Sequence, residues 1–277
     1  MTKARIQKFL DAAHLFRCPI CGGPMTASSP SVRCEQGHTF DISSKGHLTF
    51  AGGHAPLKGY DRTFFESRAR ICEMGLYDAV ADTLLATLDT HGATGPIVDA
   101  GCGEGHHAKR LANETGQKVI ALDYSKDAIA CAARGRDDVL WLVADLANIP
   151  LRDLVAGCVV NVFTPANYAE FKRVLRPGGL IIKVVPGPLH MRELREIMHP
   201  GRDLGAYSNR DIVEHLERNV RLIDRVRSLR THEIPVDMTE DIVRMSPVSF
   251  GIDPGTIDTS TLQRITVDAE ILVARAG

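Results

Sequence analysis

The sequence lacks any apolar stretch long enough to cross a membrane, because no run approaches the roughly 18 consecutive apolar residues of a transmembrane helix. The first 16 residues include three Lys and Arg residues but neither a long apolar core nor a small-residue cleavage site. They predict a short helix and not a secretory signal. Internal repeats and low-complexity tracts are also missing. We therefore expect a globular cytoplasmic protein that has no membrane partner.

Neither sign of charge dominates the chain, which has 33 basic and 34 acidic residues and a net charge of −1. The basic residues are unevenly placed: residues 1–70 contain ten Lys and Arg against five Asp and Glu. A second basic run lies at 218–230. Such runs are often plain solvated surface, although a local basic face also suits RNA binding. Charge alone leaves both interpretations open.

Three of the seven cysteines cluster with a histidine in the pattern C-x2-C-x12-C-x3-H. Residues 16–55 are poor in long apolar runs, so this segment needs a staple to fold. Zinc prefers four tetrahedral thiolate and imidazole ligands, and a closed site of this kind is structural. The pattern predicts a small N-terminal zinc-binding module over residues 1–58, in a reducing compartment. The predicted ligands are Cys18, Cys21, Cys34 and His38.

The remainder, residues 59–277, predicts a second and larger domain. Apolar residues recur at three- and four-residue steps from Phe64 to Leu88, which indicates a helix. From residue 96 short apolar runs alternate with helical segments of about ten residues, a pattern typical of a doubly wound, mostly parallel α/β sheet. Two strand-like segments near the C-terminus fit an antiparallel pair at the edge of that sheet.

A glycine-rich turn closes the first strand of this domain and opens a helix. Its spacing is D-x-G-x-G-x-G, unlike the G-x-G-x-x-G of dinucleotide sites, and helix-terminal amides favour a carboxylate ligand. Acidic residues also end the next two strands, where they can bind a ribose and an adenine. These features predict an S-adenosylmethionine (SAM) site. Its residues are Asp99, Gly101, Gly103, Gly105, Asp123, Tyr124 and Asp145.

The segment after the fourth strand is the expected place for substrate contacts. Asn161 and Phe163 could hold a planar base by edge hydrogen bonds and stacking, or they could simply pack within the strand. SAM is an activated methyl donor, so the protein must chiefly align a nucleophile with the methyl group and exclude water.

The chain resembles the bacterial 23S ribosomal RNA (guanine-N1)-methyltransferases across nearly its whole length. The zinc pattern joined to Pro-Gly-Pro-x-His is the more specific part of the resemblance, since GCGEG alone is widespread. The shared motifs are the zinc ligands, Arg68-Ala-Arg70, Gly75-Leu-Tyr77, GCGEG at 101–105, LRPGG at 175–179, the segment from Pro186 to His190, and Met245-Ser246-Pro247.

This resemblance implies a class I methyltransferase fold, a zinc module that helps hold a hairpin of 23S ribosomal RNA, and N1-methylguanine as the product. It adds Tyr77, Glu104 and His190 to the cofactor contacts. Arg68 and Arg70, in the basic segment, are the expected RNA contacts. No sequence feature identifies the general base, for which Asp61, Asn161 and His190 are the candidates. A homodimer that clamps one RNA would fit this role.

Two other functions remain compatible with the sequence. A methyltransferase of the same fold could act on another RNA or on a small molecule, with zinc serving only stability. A zinc-bearing RNA-binding module without catalysis is the non-enzymatic alternative, and the intact glycine turn and its acidic residues argue against it.

Overall fold

The computed structural model describes residues 3–50, 58–136, 138–201 and 208–276. The sequence predicts a Gly-rich linker over residues 51–61. Residues 51–57 of this segment, including His54, lie outside the described residues.

An eight-stranded sheet forms the centre of the molecule, in the strand order β10-β11-β9-β8-β5-β6-β7-β4. The strands from β9 to β4 pair in parallel, whereas β11 runs antiparallel to β9 and β10 antiparallel to β11. The predicted parallel sheet with an antiparallel C-terminal edge is therefore confirmed. The strands are β4 His47–Thr49, β5 Ile97–Ala100, β6 Val119–Asp123, β7 Leu140–Val143, β8 Ala156–Val162, β9 Leu175–Pro186, β10 Arg221–Glu233 and β11 Arg264–Arg275.

Helices cover both faces of this sheet, so the central strands are buried on both sides and consist almost entirely of apolar residues. The α-helices are α1 Lys3–Asp11, α2 Arg62–Glu73, α3 Asp78–Thr90, α4 His106–Thr115, α5 Lys126–Ala132, α6 Tyr168–Val174, α7 Arg192–Met198, α8 Arg210–Asn219 and α9 Thr239–Arg244. In the described part of the chain, none of these helices has the length and apolar character needed to cross a membrane.

Two predicted helix boundaries were wrong. The single helix expected from Phe64 to Leu88 is divided into α2 and α3, because Gly75 adopts a φ of +90° that ends the first helix. The alternating pattern also predicts a helix over residues 167–179 that stops at its glycines, but this helix ends at Val174, and Leu175 already begins β9. Apolar periodicity continues across both breaks, so it could not reveal them.

The N-terminal region forms a small antiparallel sheet of three strands, β1 Met25–Ser28, β2 Ser31–Cys34 and β3 Thr39–Asp41. The strand that follows, β4, leaves this small sheet and pairs in parallel with β7 of the central sheet. Phe9 and Phe16 are fully buried in one apolar cluster with Leu140 and Leu142 of β7. Residues 3–50 therefore share a core with the larger domain.

Candidate functional site

A cavity of about 840 Å³ opens at the carboxyl ends of the parallel strands, where α/β proteins of this type bind their ligands. The last residue of β6, β7, β8 and β9 lines it, together with the glycine turn after β5. Among the predicted site residues, those in its wall are Arg68, Tyr77, Asp99, Gly101, Gly103, Asp123, Tyr124, Phe163 and His190.

Two positions of the glycine turn require glycine, because of their backbone conformation and their close packing. Gly101 and Gly105 have φ of +83° and +85°, a region that disfavours residues with a Cβ. A Cβ on Gly101 would lie 2.4 Å from the Thr164 side chain, and one on Gly105 would lie 2.6 Å from Trp141. The backbone N–H of Gly103 donates to Asp123 Oδ2 at 3.0 Å, which joins the turn to the end of β6. Gly105 itself lies behind the wall, at the start of α4.

Asp99 is the most unusual acid in the cavity. Its side chain is 1% exposed, and its Oδ2 has no hydrogen-bond partner among the described residues. Burial, reinforced by Glu104 and Asp123, raises the pKa of Asp99 to about 8. A buried carboxylate oxygen without a partner is costly, so this position fits a ligand with a cationic hydrogen-bond donor. SAM carries such a donor in its ammonium group.

Asp123 ends β6, and burial raises its pKa. Its Oδ1 accepts from the backbone N–H of Ser125 at 2.8 Å, while Oδ2 accepts from Gly103. Each carboxylate oxygen can accept a second hydrogen bond, so the carboxylate remains able to bind a ribose. The residues present thus fit SAM at both its amino-acid and its ribose groups.

Asp145 does not lie in the cavity wall, contrary to the sequence prediction. Its Oδ1 accepts from the backbone N–H of Ala147 at 2.8 Å and stabilises the turn that follows β7. An aspartate at the end of a strand serves a turn as readily as a ligand, and the sequence did not distinguish the two.

Arg68 is not a surface RNA contact. Its side chain is 17% exposed, its Nε lies 2.8 Å from Glu104 Oε2, and its guanidinium stacks over the Tyr77 ring at 4.8 Å. Glu104 is 3% exposed and lies behind the cavity wall, where it also accepts from the Cys72 thiol at 3.2 Å. The pair therefore braces the wall that presents Tyr77.

Arg70 also departs from the predicted role of an RNA contact, because it is paired within the protein. Its Nε donates to Asp241 Oδ2 at 2.7 Å, which ties α2 to α9. Residues that follow α9, from Met245 to Val248, cover one side of the cavity. The Arg70–Asp241 pair thus holds this cover in place.

Asn161 is fully buried and scaffolds the loop after β8. Its Nδ2 donates to the carbonyl oxygen of Ala100 at 2.7 Å, and its Oδ1 accepts from Lys183 Nζ at 2.6 Å. Lys183 also donates to the Thr164 carbonyl, and burial lowers its pKa to about 8. Asn161 is absent from the cavity wall, so it is unsuited to be the general base. The sequence analysis missed Lys183, although a lone lysine inside the apolar run LIIKVVP was a usable signal.

The same scaffold presents Phe163 to the cavity. Phe163 has a φ of +51°, a strained value that its surroundings must impose. Its ring centre lies 5.0 Å from that of His190 and 6.0 Å from that of Tyr77. These three rings form an aromatic wall on the side of the cavity formed by β8 and β9.

His190 is held in one tautomer. Its Nδ1 lies 3.0 Å from the Asp268 carbonyl oxygen, which can only accept, so Nδ1 carries the proton and Nε2 the lone pair. Burial lowers the pKa of His190 to about 4. The Asp268 carboxylate in turn accepts from the Leu189 backbone N–H and from Nε and Nη2 of Arg227.

Arg195 is a further polar residue that the sequence analysis missed. It lines the cavity, its buried Nε has no partner among the described residues, and another nitrogen donates to the Pro188 carbonyl at 2.8 Å.

Asp61, a predicted candidate for the general base, is exposed and lies outside the cavity wall. Its Oδ1 accepts from the Phe64 backbone N–H at the start of α2. Asp61 is thus a helix cap and is not placed to be the base.

The four predicted zinc ligands converge, with their ligand atoms all within 4.8 Å of one another. Cys21 Sγ lies 3.7 Å from Cys34 Sγ, and Cys34 Sγ lies 3.4 Å from His38 Nδ1. Zn–S bonds of about 2.3 Å in a tetrahedron separate two sulfurs by about 3.8 Å, so this geometry fits zinc and is far too open for a disulfide. A Cys3His set is closed and serves structure.

His47 is not needed for the zinc pattern, which predicts a surface position, but it is 2% exposed because it belongs to β4. His107 lines the cavity, and neither of its ring nitrogens has a partner among the described residues. Burial lowers the pKa of both histidines, to about 4 for His47. Both are therefore neutral near pH 7.

The chain matches two family models, one described as "Methyltransferase domain" over residues 97–179 and one described as "RlmA, N-terminal", a zinc ribbon, over residues 16–50. Among solved structures, a chain of the complex between the Haloferax volcanii Trm112 methyltransferase activator and a methyltransferase aligns with a TM-score of 0.53. That alignment covers 80% of this chain and 99% of the other at 18% identity, which shows the fold alone. Fold, cavity and zinc cluster together define a SAM-dependent methyltransferase of class I with an N-terminal zinc ribbon.

Proteins similar in sequence over nearly the whole chain show to which family of these methyltransferases it belongs. The 23S rRNA (guanine(748)-N(1))-methyltransferase of Streptomyces fradiae is 33% identical over 88% of this chain and 89% of its own. The YxjB protein of Bacillus subtilis strain 168, provisionally named a 23S rRNA (guanine-N(1)-)-methyltransferase, is 34% identical over 94% of this chain and 96% of its own. The chain belongs to the family of 23S rRNA (guanine-N1)-methyltransferases. The predicted family, fold class, SAM and zinc are thereby confirmed.

Proposed function

We propose that the protein transfers the methyl group of SAM to N1 of a guanine in a hairpin loop of 23S ribosomal RNA, in the cytoplasm. The observation that carries this proposal is the similarity to relatives of that name over both the zinc ribbon and the methyltransferase domain. The cavity agrees with it, because its acidic rim suits a cationic nucleoside and its aromatic wall suits a planar base.

Each end of the cofactor has a counterpart in the cavity. Asp99 would accept from the ammonium group, Asp123 would accept from the ribose hydroxyls, and the glycine turn would let the backbone approach closely. When bound, SAM supplies a methyl group already activated by its sulfonium. The protein then has to align the guanine with that methyl and keep water out.

Methylation at N1 requires that the guanine lose the N1 proton before or as the new bond forms. Two cavity groups suit the N1 and O6 edge of guanine: His190 Nε2 is an acceptor, and Arg195 Nε is a donor without a partner among the described residues. Because the pKa of His190 is about 4, this histidine is a weak base. A guanidinium that donates to O6 would stabilise the N1 anion and is the commonest protein contact to guanine. His190 therefore remains a candidate for the chemistry, and Arg195 replaces Asp61 and Asn161 beside it.

The test is transfer of labelled methyl from SAM to protein-free 23S ribosomal RNA, followed by mass mapping of the modified nucleotide. We expect one N1-methylguanine in a hairpin loop, and the same nucleotide should be unmodified in RNA from cells that lack the protein. Label that enters only another RNA or a small molecule would support the first alternative function. Failure of the purified protein to bind SAM in calorimetry would support a non-catalytic RNA-binding role.

The Arg195→Lys variant tests the chemical step separately. It keeps the charge but loses the planar guanidinium, so we expect kcat to fall about tenfold or more while SAM affinity stays within about twofold. Unchanged kcat would remove Arg195 from the mechanism without affecting the proposed product.

A homodimer that clamps the hairpin is part of the same proposal. Sedimentation of the protein with and without a hairpin RNA would measure the stoichiometry of the complex.

A further inference from the structure

The wall of the cavity includes Thr49, a residue of the N-terminal region. Thr49 is the last residue of β4, where it pairs with Val143 at the end of β7. The next backbone N–H, that of Phe50, donates to the Val143 carbonyl at 2.9 Å. Within the described part of the chain, no hydrogen bond of the Thr49 hydroxyl is found, and the side chain is only partly buried. A polar group of the zinc-bearing segment thus reaches the ligand cavity.

The position of Thr49 along the sheet indicates which part of the cofactor it faces. Asp99 lies near the end of β5, and Asp123 is the last residue of β6. The amino-acid group and the ribose of SAM therefore follow the strand order outward from β5. The next strands in that direction are β7 and then β4. The adenine therefore has to lie toward the ends of β7 and β4. Asp145, the residue expected there, is occupied in its own turn.

Direct contacts connect the zinc centre to this end of the cavity. The carbonyl of Pro19, between two zinc ligands, accepts from Asn148 Nδ2 at 2.9 Å. Phe16 forms a β-bridge with Leu151. Both partners belong to the loop that follows β7, so the zinc turn is tied to the loop that contains Asp145.

The shared core adds a second connection. Leu48, next to Thr49, is fully buried in the apolar cluster that also contains Cys18 and Cys34 together with Leu142 of β7. A three-residue strand at a sheet edge is weakly held by its own hydrogen bonds, so the position of β4 depends on the packing around it. If zinc binding orders the zinc ribbon, it should therefore also order Thr49.

We propose that the zinc module forms the adenine end of the SAM site, with the Thr49 hydroxyl in contact with the adenosine, so that zinc binding and SAM binding strengthen each other. The coupling is reciprocal: the factor by which zinc raises SAM affinity equals the factor by which SAM raises zinc affinity. This proposal rests on the SAM site and does not depend on which RNA is methylated.

The direct contact is tested by calorimetry of SAM binding to the zinc-loaded, full-length Thr49→Val protein. Valine keeps the shape and the strand preference of threonine, so only the hydroxyl is lost. We expect SAM affinity to fall about three- to tenfold, the usual effect of one lost hydrogen bond. Thr26→Val, on the exposed face of β1, is the matched control and should bind SAM like the wild type. Wild-type SAM affinity in Thr49→Val would overturn the assignment.

The coupling is tested by competition for zinc with a chelator, with and without saturating SAM. In the wild type we expect SAM to raise zinc affinity about fivefold or more. Zinc loss could also unfold the whole chain, and SAM would then protect zinc regardless of any local contact. The Asn148→Ala variant separates these cases, because it cuts the link to Pro19 and keeps all four ligands. A smaller SAM effect in Asn148→Ala supports the proposed link, whereas an undiminished effect, or no effect in the wild type, contradicts it.

Discussion

The properties of Asp99 show how a buried residue can serve binding at the expense of stability. Its carboxyl pKa is raised from 3.8 to about 8, so the folded protein holds this proton more tightly than the unfolded chain does. The folded state therefore loses stability as the pH rises from about 4 toward 8. A residue that costs stability and also lines the cavity is best explained by ligand binding.

The Asp99→Asn variant should accordingly be as stable as the wild type or more so, and yet be defective in binding. Asparagine cannot titrate, so the decline in Tm between pH 5 and pH 8 should be smaller than in the wild type. Loss of the carboxylate should weaken SAM binding by about 30- to 100-fold, which corresponds to about 2–3 kcal/mol. Thermal unfolding and calorimetry measure the two effects, and Asp89→Asn at an exposed site is the control. Full SAM affinity in Asp99→Asn would remove this residue from the cofactor site.

The raised pKa of Asp99 also predicts that SAM binding depends on pH. Below pH 8 most of the free protein has Asp99 protonated, whereas a cationic ligand favours the ionised form, so binding must release a proton. SAM affinity should rise from pH 6 to pH 8, by about tenfold per pH unit in the lower part of this range. Calorimetry in two buffers of different ionisation enthalpy measures the released proton. His190, with a pKa of about 4, should contribute nothing in this range.

At the scale of elements, the loop after β8 illustrates how a buried network sets the position of a binding residue. Lys183 on β9 donates to both Asn161 and Thr164, and Phe163 lies between these two partners with a strained backbone. The lysine charge is buried, which is tolerated because its donors are satisfied. Two neighbouring strands thus fix an aromatic residue that lines the cavity.

Replacing this lysine should loosen the loop without removing any cavity group. Lys183→Met leaves the Asn161 oxygen and the Thr164 carbonyl without their donor, so we expect a loss of about 1–3 kcal/mol in the free energy of unfolding. The RNA methylation rate should fall about tenfold, with a much smaller change in SAM affinity. Lys172→Met, on the exposed side of α6, is the matched control. Denaturant unfolding and single-turnover methylation test this prediction, and a normal rate in Lys183→Met would show that the loop is held by other contacts.

Features set by local sequence were predictable, whereas the partners of individual side chains were not. Glycine positions, strand alternation and ligand spacing each depend on a few adjacent residues, so the cofactor turn and the zinc cluster were both expected. The pairing of Arg68 with Glu104 joins α2 to the glycine turn, which is distant in sequence, and no periodicity encodes it. β4 was missed because three residues are too few to show a strand pattern.

At the scale of the molecule, we expect the zinc module to contact RNA beyond the target base. Arg68 is largely buried against Glu104, and Arg70 is half-exposed but paired with Asp241, so we expect other residues to form most of the basic surface. Arg33 and Lys45 are exposed on the module, and the described residues provide neither with an ion-pair partner. At the other end, Arg225 and Arg227 of the second basic run pair with acids on β11.

The Arg33→Glu, Lys45→Glu double variant should therefore weaken binding to the RNA hairpin while leaving SAM affinity and the Tm unchanged. If each residue contacts one phosphate, the slope of log affinity against log salt concentration should fall by about 2. The loss should be greatest at low salt, because screening removes the contribution of exposed charges. Arg210→Ala on α8, a basic residue already paired with Glu214, is the control and should keep the wild-type slope. Binding titrations across a range of salt concentrations provide the measurement. An equal loss of affinity at every salt concentration would mean that the variant disturbs the structure of the module, because only the loss of charge contacts changes the slope.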